Sequence, residues 1–269
     1  MKVLIACPVK DRDWILPNYL QSVLELDYPK ELIDIYWIVN NSSDNSLLML
    51  ESFRDQFVDS YNSITIAVLN DKTIPNDTRT QEIRRQHTYD WLAKLRNMML
   101  DKCVALDCDY LLSSDCDILL NAGTIQRLMS HDQHCVSALV YNGYLHRPKG
   151  VGPNYSPIEN AHLYPNCLVW NEDEKIYKHI RSRRTSNPEL NTYGHLLVVH
   201  FTGACILISK ELASKARYSY FNRGEDEPFC RMAREKGYNV FCDVSLLNAH
   251  IMSPLLLKLY MDGLLPKFF

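Results

Sequence analysis

Two aspartates separated by one residue, Asp115 and Asp117 in YLLSSDCDILL, are the strongest chemical signal in the sequence. An apolar run leads into Ser113 and Ser114 and presents both acids at its end. In parallel α/β sheets ligands gather beyond the carboxyl ends of the strands, so the pair stands where chemistry is expected. Carboxylates are hard oxygen donors suited to Mg2+ or Mn2+, which commonly bind one or two protein carboxylates together with substrate phosphates. An ordinary loop start is the bland alternative; the flanking apolar residues favour a metal. A second acidic group, Glu225, Asp226 and Glu227, follows Gly224 in NRGEDEPFCRMAREKGYNVF. The helix dipole favours acids at a helix N-terminus. Three in a row exceed that need, and one can act as a general base toward a hydroxyl. His250, after YNVFCD and VSLLNA, takes its meaning from its neighbours, because a lone histidine is more often a packed or surface residue than a ligand.

These residues need a scaffold. KVLIAC, IDIYWIV, SITIAVL and DYLLSS read as strands, with helices over 13–26, 47–57 and 80–103 between them. That order predicts an α/β fold whose mostly parallel, Rossmann-like sheet is covered by helices on both faces. In the longest helix Trp91, Leu95 and Met98 form an apolar stripe. Arg84 lies on the same stripe two turns earlier, either exposed or approaching an anion. Residues 145–194 hold Pro148, Pro153, Pro157, Pro165 and Pro188 and read largely as loop, a kind of insertion that is usually functional or mobile. The basic run KIYKHIRSRR within it is either a solvated face or an anion-binding acceptor loop. HLLVVHF, ACILIS and YNVFCD read as strands and 225–236 as a short helix. The tail SPLLLKLYMDGLLPKFF reads as a helix closing over the sheet, with a dimer contact or a weak peripheral hold on a membrane as alternatives.

Composition narrows the classes. With 269 residues and 46% hydrophobic content, the chain can bury about three-quarters of its open surface without staples. A net charge of −3 argues against a disordered tail or a general nucleic-acid binder. No apolar run approaches the ~18 residues of a membrane span, and MKVLIACPVKDRDW is too short in its apolar part for a signal peptide. Nine cysteines, an odd number with no CxxC pair, point to free thiols in a reducing, cytoplasmic setting and not to a zinc ribbon.

Taken together, the motifs resemble the glycosyltransferases of the GT-A fold, family 2 and its relatives most of all. The resemblance is carried by ACPVKDR, IVNNSSDNS, LAKLRNMM, SDCD, FTGACILISKE, GEDEPFCRMAREKGYNVF and His250. It covers about residues 2–250 apart from the insertion. It implies one GT-A domain over 1–269, with a nucleotide-binding half at 1–117, an acceptor-binding half at 118–250 and a helical tail at 251–269. Pro8, Val9 and Asp11 would line the base and ribose pocket. Asn40 and Asn41 stand where the family often has two acids, which implies altered recognition of the base. Arg84, Lys94 and Arg96 would face the nucleotide, Asn97 completes the family's Arg-Asn pair, and Ser114, Asp115 and Cys116 would border the donor. Asp115 and Asp117, with His250 as a third ligand, would hold Mn2+ or Mg2+. Asp226 would be the catalytic base, Glu225 would help bind a sugar, and His200, Thr202 and Gly203 would floor the acceptor site.

The implied reaction moves a sugar from a nucleotide sugar, with UDP as the first expectation, to the hydroxyl of an unspecified acceptor with inversion. Three rivals fit less well. A phosphohydrolase using the acid pair would carry it near the N-terminus before a small turn, whereas here Ile118, Leu119 and Leu120 follow a central pair. A nucleotidyltransferase would need a glycine-rich loop after the first strand, and ACPVKDRDW has no glycine. A non-catalytic partner subunit has no need of all three acids.

Overall fold

The computed structural model describes residues 1–71, 82–145, 161–180, 195–221 and 224–264, with backbone alone at 82–85, 144–145 and 161–163. The first half alternates strand and helix: β1 (Val3–Val9), α1 (Leu16–Leu24), β2 (Ile33–Asn40), α2 (Ser46–Phe57), β3 (Ser63–Leu69), α3 (Glu82–Ala105) and β4 (Tyr110–Ser114). There follow β5 (Ile118–Leu119), α4 (Thr124–Met129), β6 (Cys135–Leu139), β7 (Tyr141–Leu145), β8 (Ala161–Pro165), β9 (Leu168–Asn171) and β10 (Ile176–His179). The chain closes with β11 (Leu196–Val199), β12 (Cys205–Ser209), α5 (Lys210–Lys215), α6 (Asp226–Glu235), β13 (Val240–Leu247), β14 (Ala249–His250) and α7 (Pro254–Met261).

The main sheet has eight strands in the order β11-β13-β6-β12-β4-β1-β2-β3. Only β11 and β12 run against the others, so the sheet is mostly parallel, as the strand–helix alternation predicts. Strands covered on both faces read as continuous apolar runs, and every residue of β2 is buried. Asp34 is the charged exception, neutralised by Lys2 Nζ at 3.2 Å and hydrogen-bonded by Asn62 and Ser63. One face packs Trp37, Phe53, Leu16 and Val23 from the α1–α2 side. The other packs Leu95, Met99 and Cys103 of α3 with Phe229 of α6.

Several expectations shift. On α3 the fully buried stripe is Leu95, Met99 and Cys103, with Trp91 and Met98 half-buried beside it. The described part of the insertion is stranded, not loop: β8 pairs with β7, and β10 with β9, both antiparallel. Proline does not prevent this, because Pro165 ends its strand. Of the basic run, Lys175 and Lys178 make surface pairs with Glu172 and Glu174, while residues 181–184 lie outside the described residues. The last long strand extends through VSLL, and β14 then sets His250 beside Ile118 of β5. Helix α7 packs through Leu256 on Ile15, Ala249 and Ile251, not on the main sheet. All nine cysteines are buried and free. Among the described residues no helix is long and apolar enough to cross a membrane.

Asp243 of β13 gives the fold a pH signature. Burial pushes its carboxyl up, but Ser245, His131 and Arg127 hydrogen-bond the charged form and hold it at about 2. A depressed carboxylate contributes stability that is present above the unfolded pKa of about 4 and lost as pH falls through about 2. Thermal melts of the wild type should therefore fall across that window, and Asp243→Asn should flatten the fall. Equal acid slopes for the two proteins would refute it.

Candidate active site

A cleft of about 700 Å³ opens beyond the carboxyl ends of β1 and β4. Its floor is organised by one guanidinium. Arg96, on the inward face of α3 and 5% exposed, donates from Nε to Glu225 Oε1 at 2.9 Å. Its Nη1 reaches Ser113 Oγ at 3.2 Å and its Nη2 reaches Asp115 Oδ1 at 2.9 Å. Three elements, α3, β4 and the start of α6, are thereby tied by a planar fork that no lysine could reproduce. Burial disfavours the charge, but Asp115, Asp226 and Glu225 hold Arg96 well above the usual guanidinium range.

Asp117 faces the other way. Its Oδ1 lies 3.3 Å from His250 Nε2 and its Oδ2 lies 3.4 Å from Arg12 Nε. Burial raises its carboxyl, yet the His250 hydrogen bond and the charges of His250 and Arg12 bring it below the usual range. Burial likewise lowers His250, but Asp117 more than offsets this and the imidazole is raised. On its far side His250 Nδ1 lies 2.8 Å from Asn142 Oδ1, which fixes the ring.

Asp226 is held more loosely. It opens α6 with Glu225 as the preceding cap residue, and its Oδ1 is buried with no hydrogen-bond partner. Among the described residues its ion-pair contact is Arg96 Nε, 4.0 Å away. Burial and the neighbouring Glu225 push its pKa up; Arg96 opposes this, Asp115 adds to it, and the result is about 8. A Cβ placed on Gly203 would lie 2.0 Å from Asp226 Oδ2, so only glycine admits this carboxylate.

Among the described residues no group of three or more His, Cys, Asp and Glu side chains converges as a metal cage. Asp115 is turned to Arg96, and Asp117 to His250 and Arg12. The donor set itself fits a hard divalent cation: two carboxylates and an imidazole. With Nδ1–H given to Asn142, Nε2 either shares a proton with Asp117 or, in the neutral ring, offers its lone pair, and a hydrogen-bond acceptor that fixes the ring's other nitrogen is typical of ligating histidines.

The structure brings Pro8, Asn40, Arg96, Asp115, Cys116, Asp117, Glu225, Asp226, His250 and Gly203 to the cleft. Other expected residues go elsewhere. Val9 follows Pro8 on a strand, where successive side chains alternate, and is fully buried in the core. Lys94 is two positions from Arg96, about 200° around a helix, so both cannot face one cleft. It is exposed and lies over the outer face of Trp91, 4.6 Å from the ring centroid. Asn97 instead pins the chain ahead of α6, exchanging two 2.9 Å hydrogen bonds with the Tyr218 backbone. Asp11 and Asn41 both take left-handed backbone, φ 49°. Asp11 accepts from the Ser43 amide, and Asn41 from the Asp71 amide, so each braces a loop. Ser114 is fully buried under the acids. His200 accepts from the Trp170 amide at 3.0 Å, and Thr202 donates to Ser137 Oγ at 2.8 Å; neither borders the cleft. The side chain of Arg84 lies outside the described residues.

Asn40 explains its own departure from an acid. Its Nδ2 donates to Val9 O at 3.2 Å while its Oδ1 accepts from Trp91 Nε1 at 3.3 Å. A carboxylate could do only the second. Arg12, Lys10, Asn142 and Asn166 also border the cleft. Arg12 sat within ACPVKDRDW with no charge partner visible in the sequence, and the two asparagines belong to no recognisable motif.

The Anp1 family model matches residues 1–156. The mannan polymerase II complex anp1 subunit of Schizosaccharomyces pombe is 23% identical over 94% of this chain and 64% of its own length. The chain spans between 20% and 64% of the curated relatives it matches. Among solved structures, S. aureus TarS 1-349 in complex with UDP-GlcNAc superposes with a TM-score of 0.51 at 14% identity, covering 93% of this chain and 58% of TarS. The mannosyltransferase PcManGT from Pyrobaculum calidifontis, in complex with GDP-Man and Mn2+, gives 0.51 at 12% identity, covering 93% and 57%. The fold is that of the GT-A glycosyltransferases.

Proposed function

This chain belongs to the Anp1 family, and on that footing we propose that it transfers a sugar from a nucleotide sugar to an acceptor hydroxyl with a divalent cation. The carrying observation is one cleft that holds both the Asp115/Asp117 pair and a separate carboxylate, Asp226, whose buried Oδ1 has no hydrogen-bond partner and whose pKa is raised to about 8. A cation that bridges a diphosphate and a base that activates an alcohol are the two charges this transfer needs. The solved neighbours hold UDP-GlcNAc or GDP-Man with Mn2+, which supports a nucleoside diphosphate donor. UDP is the base proposed first.

Asp115, Asp117 and His250 would hold Mn2+ or Mg2+, which supplies Lewis-acid neutralisation of the leaving diphosphate. Asp226 draws the proton from the acceptor oxygen as that oxygen attacks the anomeric carbon from the face opposite the leaving group. One displacement inverts the centre. A carboxylate near 8 is a far stronger base than an ordinary one, provided it is ionised when the acceptor arrives. Glu225 and Arg96 set its position and charge; both line the same cleft. Nine buried free thiols support a reducing compartment as the setting.

The test is a thermal-shift series with UDP and GDP, with and without Mn2+, since a ligand of the folded state raises the melting temperature by mass action. Nucleotide stabilisation should require Mn2+, and Asp117→Ala should remove it. Stabilisation equal in the variant and the wild type would overturn the metal assignment. Gly203→Ala gives a second check. Its Cβ must displace the Asp226 carboxylate, and a displacement of about 1 Å costs about 100-fold in rate. Nucleotide release at the wild-type rate by Gly203→Ala would refute Asp226 as the base.

A further inference from the structure

We propose that Asn166, from the inserted segment, is a positioning residue: it holds a strained turn that sets Asp115 and the base relative to each other. The proposal rests on the glycosyltransferase reading above. Ala204 has φ 72°, left-handed backbone for a residue that carries a Cβ. Across it the Cys205 amide donates to Gly203 O at 2.9 Å. An i→i+2 bond at positive φ is the rare, strained form of γ-turn. Such conformations persist only where the surroundings over-determine them, and they concentrate at functional sites.

The surroundings here are specific. Asn166 is 5% exposed, and its Nδ2 lies 2.8 Å from Gly203 O and 3.0 Å from Thr202 Oγ1. A third acceptor, Ala138 O, is at 3.1 Å. Its Oδ1 accepts from the Val140 amide at 3.1 Å, so the amide plane cannot turn without losing a bond. On the other side of Ala204, its carbonyl accepts from the Asp115 amide at 2.9 Å. Both peptide planes that define φ and ψ of Ala204 are therefore held, one by Asn166 and one by Asp115. Gly203 in turn is the surface against which the Asp226 carboxylate sits. If the Gly203 carbonyl is released, the turn relaxes. Asp115 and Asp226 then lose their shared reference point.

The test pairs Asn166→Ala with Ala204→Gly. Turnover is read as Mn2+-dependent release of UDP from UDP-GlcNAc and of GDP from GDP-mannose. Asn166→Ala should lower kcat about 100-fold, with the affinity for Mn2+ and nucleotide little changed. Glycine adopts positive φ without strain, so the turn in Asn166→Ala/Ala204→Gly no longer needs holding, and the double variant should regain the greater part of the loss. A role limited to docking the insertion would show no such rescue. Wild-type kcat in Asn166→Ala, or a double variant no faster than the single one, overturns the proposal. A crystal structure of Asn166→Ala decides it independently of turnover, with Asn166→Ser in its place should the alanine variant not fold. Ala204 should leave positive φ, and an unchanged turn refutes the idea. Wild-type turnover in Asp226→Asn would instead strike the assignment of the base, leaving that crystal structure to judge Asn166.

Discussion

Asp226→Asn is expected to lose about 10²–10⁴-fold in turnover while melting at a higher temperature than the wild type. The first effect follows from removing the proposed general base, since such a group typically supplies an acceleration of that size. The second follows from what the fold imposes on that base. A carboxylate raised from 3.8 to about 8 by burial and by Glu225 binds a proton in the folded state that the unfolded chain has released. Where the folded state binds more protons, stability falls as pH rises. The penalty thus grows between about 4 and about 8 and is fully present above that. Asparagine is neutral and of the same shape, so it escapes the penalty. Each kcal/mol regained raises the melting temperature by about 2–4 °C in a chain of this size. The difference between variant and wild type should be small near pH 4 and largest above pH 8. Nucleotide binding should persist, since the proposed cation ligands are Asp115, Asp117 and His250. A variant that lost both turnover and stability would instead mark Asp226 as a structural anchor.

The strand–helix alternation of the first half was readable because parallel strands covered on both faces leave unbroken apolar runs, as in IDIYWIVN. Boundaries moved by few residues there. The second half was harder for a physical reason. Its antiparallel strands are short, paired at edges and interrupted by prolines that sit harmlessly at strand ends, as Pro165 does. At the site, the acids were legible because three of them stand beside turn residues at the ends of apolar segments. What faces them was not. Lys94 and Arg96 look alike in sequence, and only the helical phase fixed by Leu95, Met99 and Cys103 tells which one turns inward. Asn40 looks like a lost acid until Val9 O and Trp91 Nε1 show that the position needs both a donor and an acceptor. Arg12 and His250 are 238 positions apart in sequence, yet both face Asp117, a proximity that only the tertiary fold creates.

Arg96→Met should be the most destabilising single change in the site. The guanidinium is 6% exposed and pairs at 2.9 Å with Asp115 and with Glu225, itself 5% exposed. Methionine fills similar space but leaves buried carboxylates without a cation, and breaking a buried pair in this way costs about 3–5 kcal/mol. At about 2–4 °C per kcal/mol, the melting temperature should drop by roughly 6–20 °C. A second substitution separates charge from packing. Glu225→Gln in the Arg96→Met background should recover part of the loss, because one of the stranded charges is gone. Arg96→Lys should not, since a single ammonium cannot reach Glu225, Ser113 and Asp115 at once. A double variant no more stable than Arg96→Met would assign the cost to packing and show that the acids tolerate one another without the arginine. The same geometry implies competition under the proposed function: a cation held by Asp115 would contend with Arg96, whose bonds to Ser113 and Glu225 do not depend on that carboxylate.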